Sequence, residues 1–457
     1  MRNRTDLRPG LASASAMSLV RRKQISRDPT RRSVSDRTTY LVSAFFLLGA
    51  VSALGIIDRA IYGEWYGKTG TKITAALNLL EISASLFLLW SGTRKIRIAP
   101  FNRFLPLAAP GILLMSVFWS LDPRLTITQG ALYFFIVLGL IGLVEALDSD
   151  ELMKLIALIC GLSAVASVVQ FLAFHEPGDF RGIFSQKNVL GQVMAGGVLA
   201  ALHCMRIPGG RRFRYICLIA LCTVVAFMSK SATSVLAIFV FFWLAILGSL
   251  YSRPATRIVG ICLAFCSVLA VVFIVTNPDL IYELFGKDQT LTGRTLIWPY
   301  VIAHILEKPL LGWGYLAFWS ALNPVALEIA SATWNTVKIA NAHNALLEFL
   351  LEIGIVGTCF FIFLWLRNFV FAVKCMNGPA SRFGLSSLLL LTAILLTGTS
   401  EQVLLTGGQI WTILFFTTGF MCEKSLWLTR AARTQGRLRP RSMPAAIVPK
   451  SVFKEPS

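Results

Sequence analysis

The sequence predicts an all-α polytopic membrane protein of about 12 transmembrane helices, with one large outer loop between helices 9 and 10. Three observations carry this reading. Hydrophobic residues make up 55% of the 457 residues and charged residues only 14%, which leaves too little polar surface for a soluble globule. Apolar runs near the ~20 residues needed to cross a hydrocarbon core recur along most of the chain. The short segments that would be cytoplasmic carry clusters of basic residues, as the positive-inside rule requires.

Residues 1–38 are rich in Arg and Ser, with Arg21-Arg22-Lys23 and Arg31-Arg32, and contain no signal-sequence core. They read as a basic cytoplasmic tail that anionic lipid headgroups hold loosely. The transmembrane domain covers 39–423, with spans near 40–57, 72–90, 104–121, 126–147, 152–174, 188–205, 214–228, 231–251, 257–277, 345–373, 384–400 and 408–422. Arg94, Lys95, Arg97 and Arg103 mark one cytoplasmic loop, Arg206, Arg211, Arg212 and Arg214 a second, Arg253 and Arg257 a third, and Arg367, Lys374 and Arg382 a fourth. The acidic stretch at Asp148, Asp150 and Glu151 dissents, but acidic residues weigh little in orientation. On this count both termini are cytoplasmic and the loop at 278–344 is on the outer face. Residues 424–457, with Arg430, Arg433, Arg437, Arg439 and Arg441, form a second basic tail.

The net charge of +20 therefore orients a membrane protein. The basic segments lack interleaved aromatic stacking platforms, so no nucleic-acid partner is expected. The nine cysteines lie in or beside apolar runs without metal-ligand spacing and read as small packing residues. No internal repeat is evident, and neither a Gly-rich nucleotide loop nor a Cys/His constellation is present. No metal and no cofactor are expected.

Charges near a bilayer are expensive, so those on the outer side are the candidates for chemistry. Arg181, Lys187, Lys230 and Arg294 are cations that together suit a phosphate or pyrophosphate ligand. Lys187 and Glu401 read equally well as interfacial anchors. Were 292–308 helical, Arg294 would share a face with Trp298, Val301 and Ile305, with Pro299 delaying or kinking the helix and Pro309 stopping it. Gly312 and Gly314 permit a tight turn before Tyr315. His343 precedes the tenth span, where Asn341 or Asn344 can cap the helix start. A histidine there can serve as a general base or, protonated, bind an anion. Asn344, Glu348 and Glu352 recur at i, i+4, i+8 on one face, directed into the bundle or a wet cavity, and Gly354 and Gly357 admit a neighbouring helix.

Together, Gly293-Arg294-x-x-Ile297-Trp298, Pro309-Leu310-Leu311-Gly312-Trp313-Gly314, His343-Asn344 and Glu352-x-Gly354-x-x-Gly357 resemble the O-antigen ligase and polysaccharide polymerase superfamily. Gly182-Ile183-Phe184 followed by Asn188 and Gly191 is similar to its earlier outer-loop motif, and Ser229-Lys230-Ser231 falls where it carries Ser-x-Ser-Arg. Here Ala232 replaces that arginine, and Lys230 is the nearest cation. The resemblance covers roughly Arg181 to Gly357. It implies glycosyl transfer without a metal, from a polyprenyl-pyrophosphate-linked oligosaccharide to an acceptor hydroxyl, on the outer (periplasmic) face of a bacterial inner membrane. Arg294 would hold the pyrophosphate and His343 act as base or second phosphate contact. Lys230, Arg181, Lys187, Asn188, Asn344, Glu348 and Glu352 are taken as substrate-binding. The layout looks most like an exopolysaccharide repeat-unit polymerase, with membrane lipids, a flippase and a chain-length regulator as partners. A ligase moving finished glycan onto a lipid acceptor is the alternative, and a glycolipid flippase or transporter the second. Transporters, however, put their main hydrophilic break mid-chain on the inner face.

Overall fold

The computed structural model describes residues 38–49, 72–93, 104–174, 180–184, 186–252, 254–263, 265–266, 294–334, 341–378 and 380–438. Every regular element among them is helical. In chain order they are α1 (Thr38–Gly49), α2 (Lys72–Thr93), α3 (Ala108–Met115, extended by 3-10 turns to Leu105–Trp119), α4 (Pro123–Ala146), α5 (Ser149–Phe174), α6 (Lys187–Met205), α7 (Arg212–Met228), α8 (Ala232–Ser252) and α9 (Pro254–Leu263). α10 (Arg294–Glu307), α11 (Pro324–Trp334), α12 (Ala345–Met376), α13 (Ser381–Gly398) and α14 (Ile410–Leu438) follow.

Six of these, α4, α5, α6, α8, α12 and α13, are long and apolar enough to cross a bilayer. That agrees with a polytopic membrane protein, but the described residues do not reach the twelve spans expected. At 1.5 Å per residue, Leu105–Trp119 extends only about 22 Å, short of a hydrocarbon core of about 30 Å. α7 has 17 residues, and α14, although 29 residues long, carries Glu423, Lys424 and Arg430 from its middle onward. The spans expected near 40–57 and 257–277 run into residues outside the described set, as do both tails beyond 38–438, the basic cluster at Arg94–Arg103, Arg253, His175 and parts 278–293 and 335–340 of the expected outer loop.

α6 is the axis of the bundle. It packs against α5, α7, α8, α13 and α14, and every residue from Leu190 to Cys204 is buried. A helix apolar all round belongs inside, and small residues let its neighbours come close. A Cβ on Gly197 would meet Cys160 Cβ at 2.8 Å and Cys222 Sγ at 2.9 Å, so two of the cysteines read as packing residues grip this helix from α5 and α7.

Basic residues of two of the loops, Arg206 and Arg382, meet where α6 ends, the Arg382 guanidinium donating to Arg206 O at 3.1 Å. His203, wholly buried, contacts Asp150 Oδ1 through Nε2 at 3.1 Å and Ser386 Oγ through Nδ1 at 3.0 Å, while Arg382 pairs with Asp150 Oδ2 at 3.3 Å. Asp148 caps α5 by accepting from the Glu151 N–H at 2.8 Å. The acidic stretch that dissented in the charge pattern is thus counter-ion and cap. Lys424 donates to Val144 O at 2.5 Å, covering carbonyls left open at the C-terminus of α4.

α12 is broken at Gly354, where φ is 63° and ψ is −171°, a region essentially restricted to glycine. The loop 309–314 fills the gap. Ile355 N–H donates to Pro309 O at 2.8 Å and Val356 N–H to Leu310 O at 3.3 Å, while Trp313 and Gly314 N–H donate to Leu351 O and Glu352 O at 2.9 Å each. A Cβ on Gly354 would stand 2.3 Å from Leu310 C and O. The expected close approach of a neighbouring helix is therefore corrected: a loop passes Gly354, and the nearest atoms to a Cβ on Gly357 belong to the Ile353 side chain.

The inserted loop is tied down on its far side. Trp119 Nε1–H donates to Leu311 O at 3.0 Å, Leu121 N–H to Trp313 O at 3.2 Å, and Thr126 Oγ1–H to Tyr315 O at 2.8 Å. Tyr315 donates its phenol to Leu405 O at 2.6 Å. Burial, with Tyr133 and Glu352 nearby, pushes that phenol well above its ordinary range and keeps it a donor.

Candidate functional site

At the end of the bundle opposite the His203–Asp150–Arg382 cluster, three helices begin close together. α12 starts at Asn344, whose Oδ1 accepts from Leu347 N–H at 3.1 Å and whose Nδ2 donates to Thr399 O at 3.3 Å. Asn341 Oδ1 accepts from His343 N–H at 2.9 Å. Both asparagines read as cap candidates are thus used, one on the helix and one on the turn before it. Between them His343 is held in the left-handed region, at φ 50°. Such a conformation costs of order 1–3 kcal/mol in a non-glycine residue and persists only where surrounding contacts impose it.

Those contacts act on Ala342. Its N–H donates to Glu348 Oε2 at 2.6 Å and its carbonyl accepts from Trp298 Nε1–H at 3.0 Å. Trp298 lies one turn after Arg294, which opens α10, so the helix that begins with the arginine is fastened directly beside the histidine. The Arg294 side chain itself is outside the described residues. α10 runs through Pro299, and Ile297, Val301 and Ile305 form its buried stripe, much as the spacing led one to expect.

His343 Nδ1 faces Glu401 Oε2 at 3.7 Å, within charge reach but longer than a hydrogen bond, and Glu401 Oε1 accepts from Asn188 Nδ2–H at 2.7 Å. Asn188 sits in the first turn of α6, whose N-cap position, Gln186, makes no side-chain cap bond. One turn on, Gly191 abuts Ser231 and Ser234 of the α7–α8 elbow, where a Cβ would lie 2.5 Å from Ser234 Oγ. That contact brings in Lys230, exposed at the tip of the elbow with φ 54°. Arg181 opens a turn in which Phe184 N–H donates to Arg181 O at 3.1 Å, with Gly182 at φ 54° against Ser167 of α5. Lys187 is half-buried at the start of α6.

The sequence candidates divide into two groups. His343, Asn344, Asn188, Lys187 and Lys230 come together at the starts of α6, α8 and α12, with Arg181 in the segment leading into α6. Glu348 and Glu352 do not join them as ligand contacts, because both are 0% exposed. Glu348 instead holds the Ala342 N–H, and the carboxyl of Glu352 is closed off from bulk solvent near Leu316. Glu401, weighed from the sequence as an interfacial anchor, is 6% exposed and belongs to the site. Nothing in its local sequence distinguished it; an isolated carboxylate after an apolar span was the one signal. Among the described residues no group of three or more His, Cys, Asp and Glu is disposed to hold a metal ion.

Trp298→Phe is expected to leave the buried Ala342 carbonyl without its donor, at a cost of about 1–3 kcal/mol. The measurement is the melting temperature of the purified protein, which should fall; an unchanged value would mean that the turn is held without α10.

With this geometry in view, residues 217–362 match the O-antigen ligase family model (Wzy_C). The chain is 29% identical over 338 residues to the exopolysaccharide production protein ExoQ of Rhizobium meliloti, covering 67% of this chain and 74% of that protein. It is 23% identical over 280 residues to a protein of Rickettsia conorii named for polysaccharide ligation, covering 57% of this chain and 67% of the relative. The resemblance read from the motifs is borne out by these matches.

Proposed function

We propose that this chain, similar as it is to the O-antigen ligase family, joins glycans by transfer from a polyprenyl pyrophosphate carrier, and that its product is an extended exopolysaccharide. The observation that carries the reading is the convergence of His343, backed by Glu401 and Asn188, with the starts of α6, α8 and α12. Helix N-termini carry partial positive charge and unpaired N–H groups, and three of them at one place favour an anionic ligand. Lys187, Lys230, Arg181 and Arg294 add full charges to the same region.

In this scheme the acceptor hydroxyl oxygen bonds to the anomeric carbon as that carbon's bond to the phosphate oxygen breaks. His343 takes the hydroxyl proton. With Nδ1 turned to Glu401, Nε2 is the basic atom, and the carboxylate offsets the imidazolium that forms. The polyprenyl pyrophosphate leaves as an anion held by the cations and helix ends, Arg294 foremost. Asn344 caps the helix that carries the turn, while Glu348 and Trp298 fix the backbone next to the base. Arg206 and Arg382, from two of the basic loops, meet at the opposite end of α6, which supports cytoplasmic termini and a reaction on the outer face of the inner membrane. A flippase supplying the carrier and a regulator of chain length are the partners this reading requires.

Purified protein given only the lipid-linked repeat should lengthen it into a ladder. Products appearing only when a second lipid acceptor is added would favour the ligase reading, which the matched family's name and the Rickettsia relative recommend. Arg294→Lys should slow transfer by about one to two decades, because an ammonium cannot reproduce a bidentate contact worth about 1.5–3 kcal/mol. An unaltered rate in a correctly inserted Arg294→Lys protein would remove the arginine from the mechanism.

A further inference from the structure

α10 is apolar on both sides. Its inner side, Ile297, Val301 and Ile305, packs on α11 and on Leu351 of α12. Its outer side presents Leu296, Tyr300, Ala303 and Leu306, all exposed, and the stripe continues into Leu310, with Leu306 72% and Leu310 64% exposed. A helix this short, apolar on both sides apart from Arg294, His304 and Glu307, is either a core helix or an interfacial segment, and the exposure of its outer side excludes the first. α11, in the same part of the chain, exposes Glu328 and Ser331 and has the polar face of an element that meets water.

We propose that the outer side of α10 and the 309–311 loop are bedded in the bilayer hydrocarbon, so that this part of the segment read as an outer loop is a membrane-dipping element. The surface next to it identifies the occupant. Trp119 Nε1 bonds Leu311 O, joining this stripe to the end of α3, where Met115 and Phe118 are 59% and 83% exposed on a helix of apolar composition. The stripe is thus continuous with side chains of a bundle whose spans must face lipid. Its border carries the residues of a membrane–water interface. Lys308 Nζ lies 3.9 Å from the centroid of the Trp313 ring, Trp119 is half-buried beside it, and Glu307, the one carboxylate on the exposed side, stands at the helix end. The base at His343 and the arginine that opens α10 then work at the depth of the headgroups, where the pyrophosphate of a lipid carrier sits without being lifted from the membrane.

A photoreactive benzoylphenylalanine incorporated singly at Leu306, Leu310 and Ser331 in native membranes tests this without reference to activity, so its outcome is separate from that of the glycosyl-transfer reading. Irradiation should attach phospholipid at 306 and 310, read by mass spectrometry, and leave 331 without lipid. Equal lipid labelling at all three positions, adducts to another protein at 306 and 310, or no lipid adduct there would each overturn the proposal. All three side chains are exposed, so the substitutions disturb no core.

Discussion

His343→Ala should lower the rate of glycan transfer by about two to four decades, the usual contribution of a positioned general base, while the carrier lipid binds almost as before. In free-energy terms this is about 3–5 kcal/mol of the barrier. The cleaner variant is His343→Asn. At φ 50° asparagine is one of the few residues that accept the left-handed region readily, so the turn is preserved while the ability to take up a proton is lost. Both variants should show a lowered kcat with KM for the carrier lipid nearly unchanged. A histidine acting as a phosphate ligand would give the opposite pattern, with weaker carrier binding. Near-normal transfer by the asparagine variant would eliminate the base.

Gly354→Ala is expected to leave almost no folded protein. The backbone there lies in a glycine-only region, at about 1–3 kcal/mol for another residue. The added methyl would also stand 2.3 Å from the Leu310 carbonyl carbon and oxygen, which are backbone atoms without a rotamer to escape into. Relief requires expelling the loop, which strips the hydrogen bonds from Ile355 and Val356 within a span, where each lost partner costs several kcal/mol. Size-exclusion profiles of a fluorescent fusion should show aggregate for Gly354→Ala and a larger folded peak for Gly357→Ala, whose added methyl meets only the Ile353 side chain, at 2.6–2.8 Å, and no loop backbone. A monodisperse Gly354→Ala protein would contradict the break in α12.

Much of this was legible from the residues. Val301 and Ile305 in the stripe of α10, the cap at Asn344, and the turn at Gly312 and Gly314 follow from local rules of spacing and backbone preference, and stand in the structure. The cations and the histidine stood out because charge near lipid is costly. What stayed hidden depends on pairing across the chain. Glu401 meets Asn188 over 213 residues and His343 over 58, and no periodicity reports such distances. Glu348 and Glu352 share a face as their spacing requires, yet spacing cannot say whether that face meets a ligand or a turn of backbone. Hydropathy registers an apolar run whether it is long enough to cross the bilayer, as α4 is, or too short, as α3 is, and among the described residues six helices reach that length.

The broken α12 has a bearing on how the molecule assembles and how it comes apart. The amides of Ile355 and Val356 are completed by carbonyls synthesised some 45 residues earlier, so the span and the 309–314 loop form one cooperative unit, stable together and incomplete apart. A protease nick between Lys308 and Trp313 would loosen the top of α12 as well as the loop. The upper turns of α12, their N-cap and the histidine ahead of it would then give way as a block while the lower half, packed on α13 and α14, stayed folded.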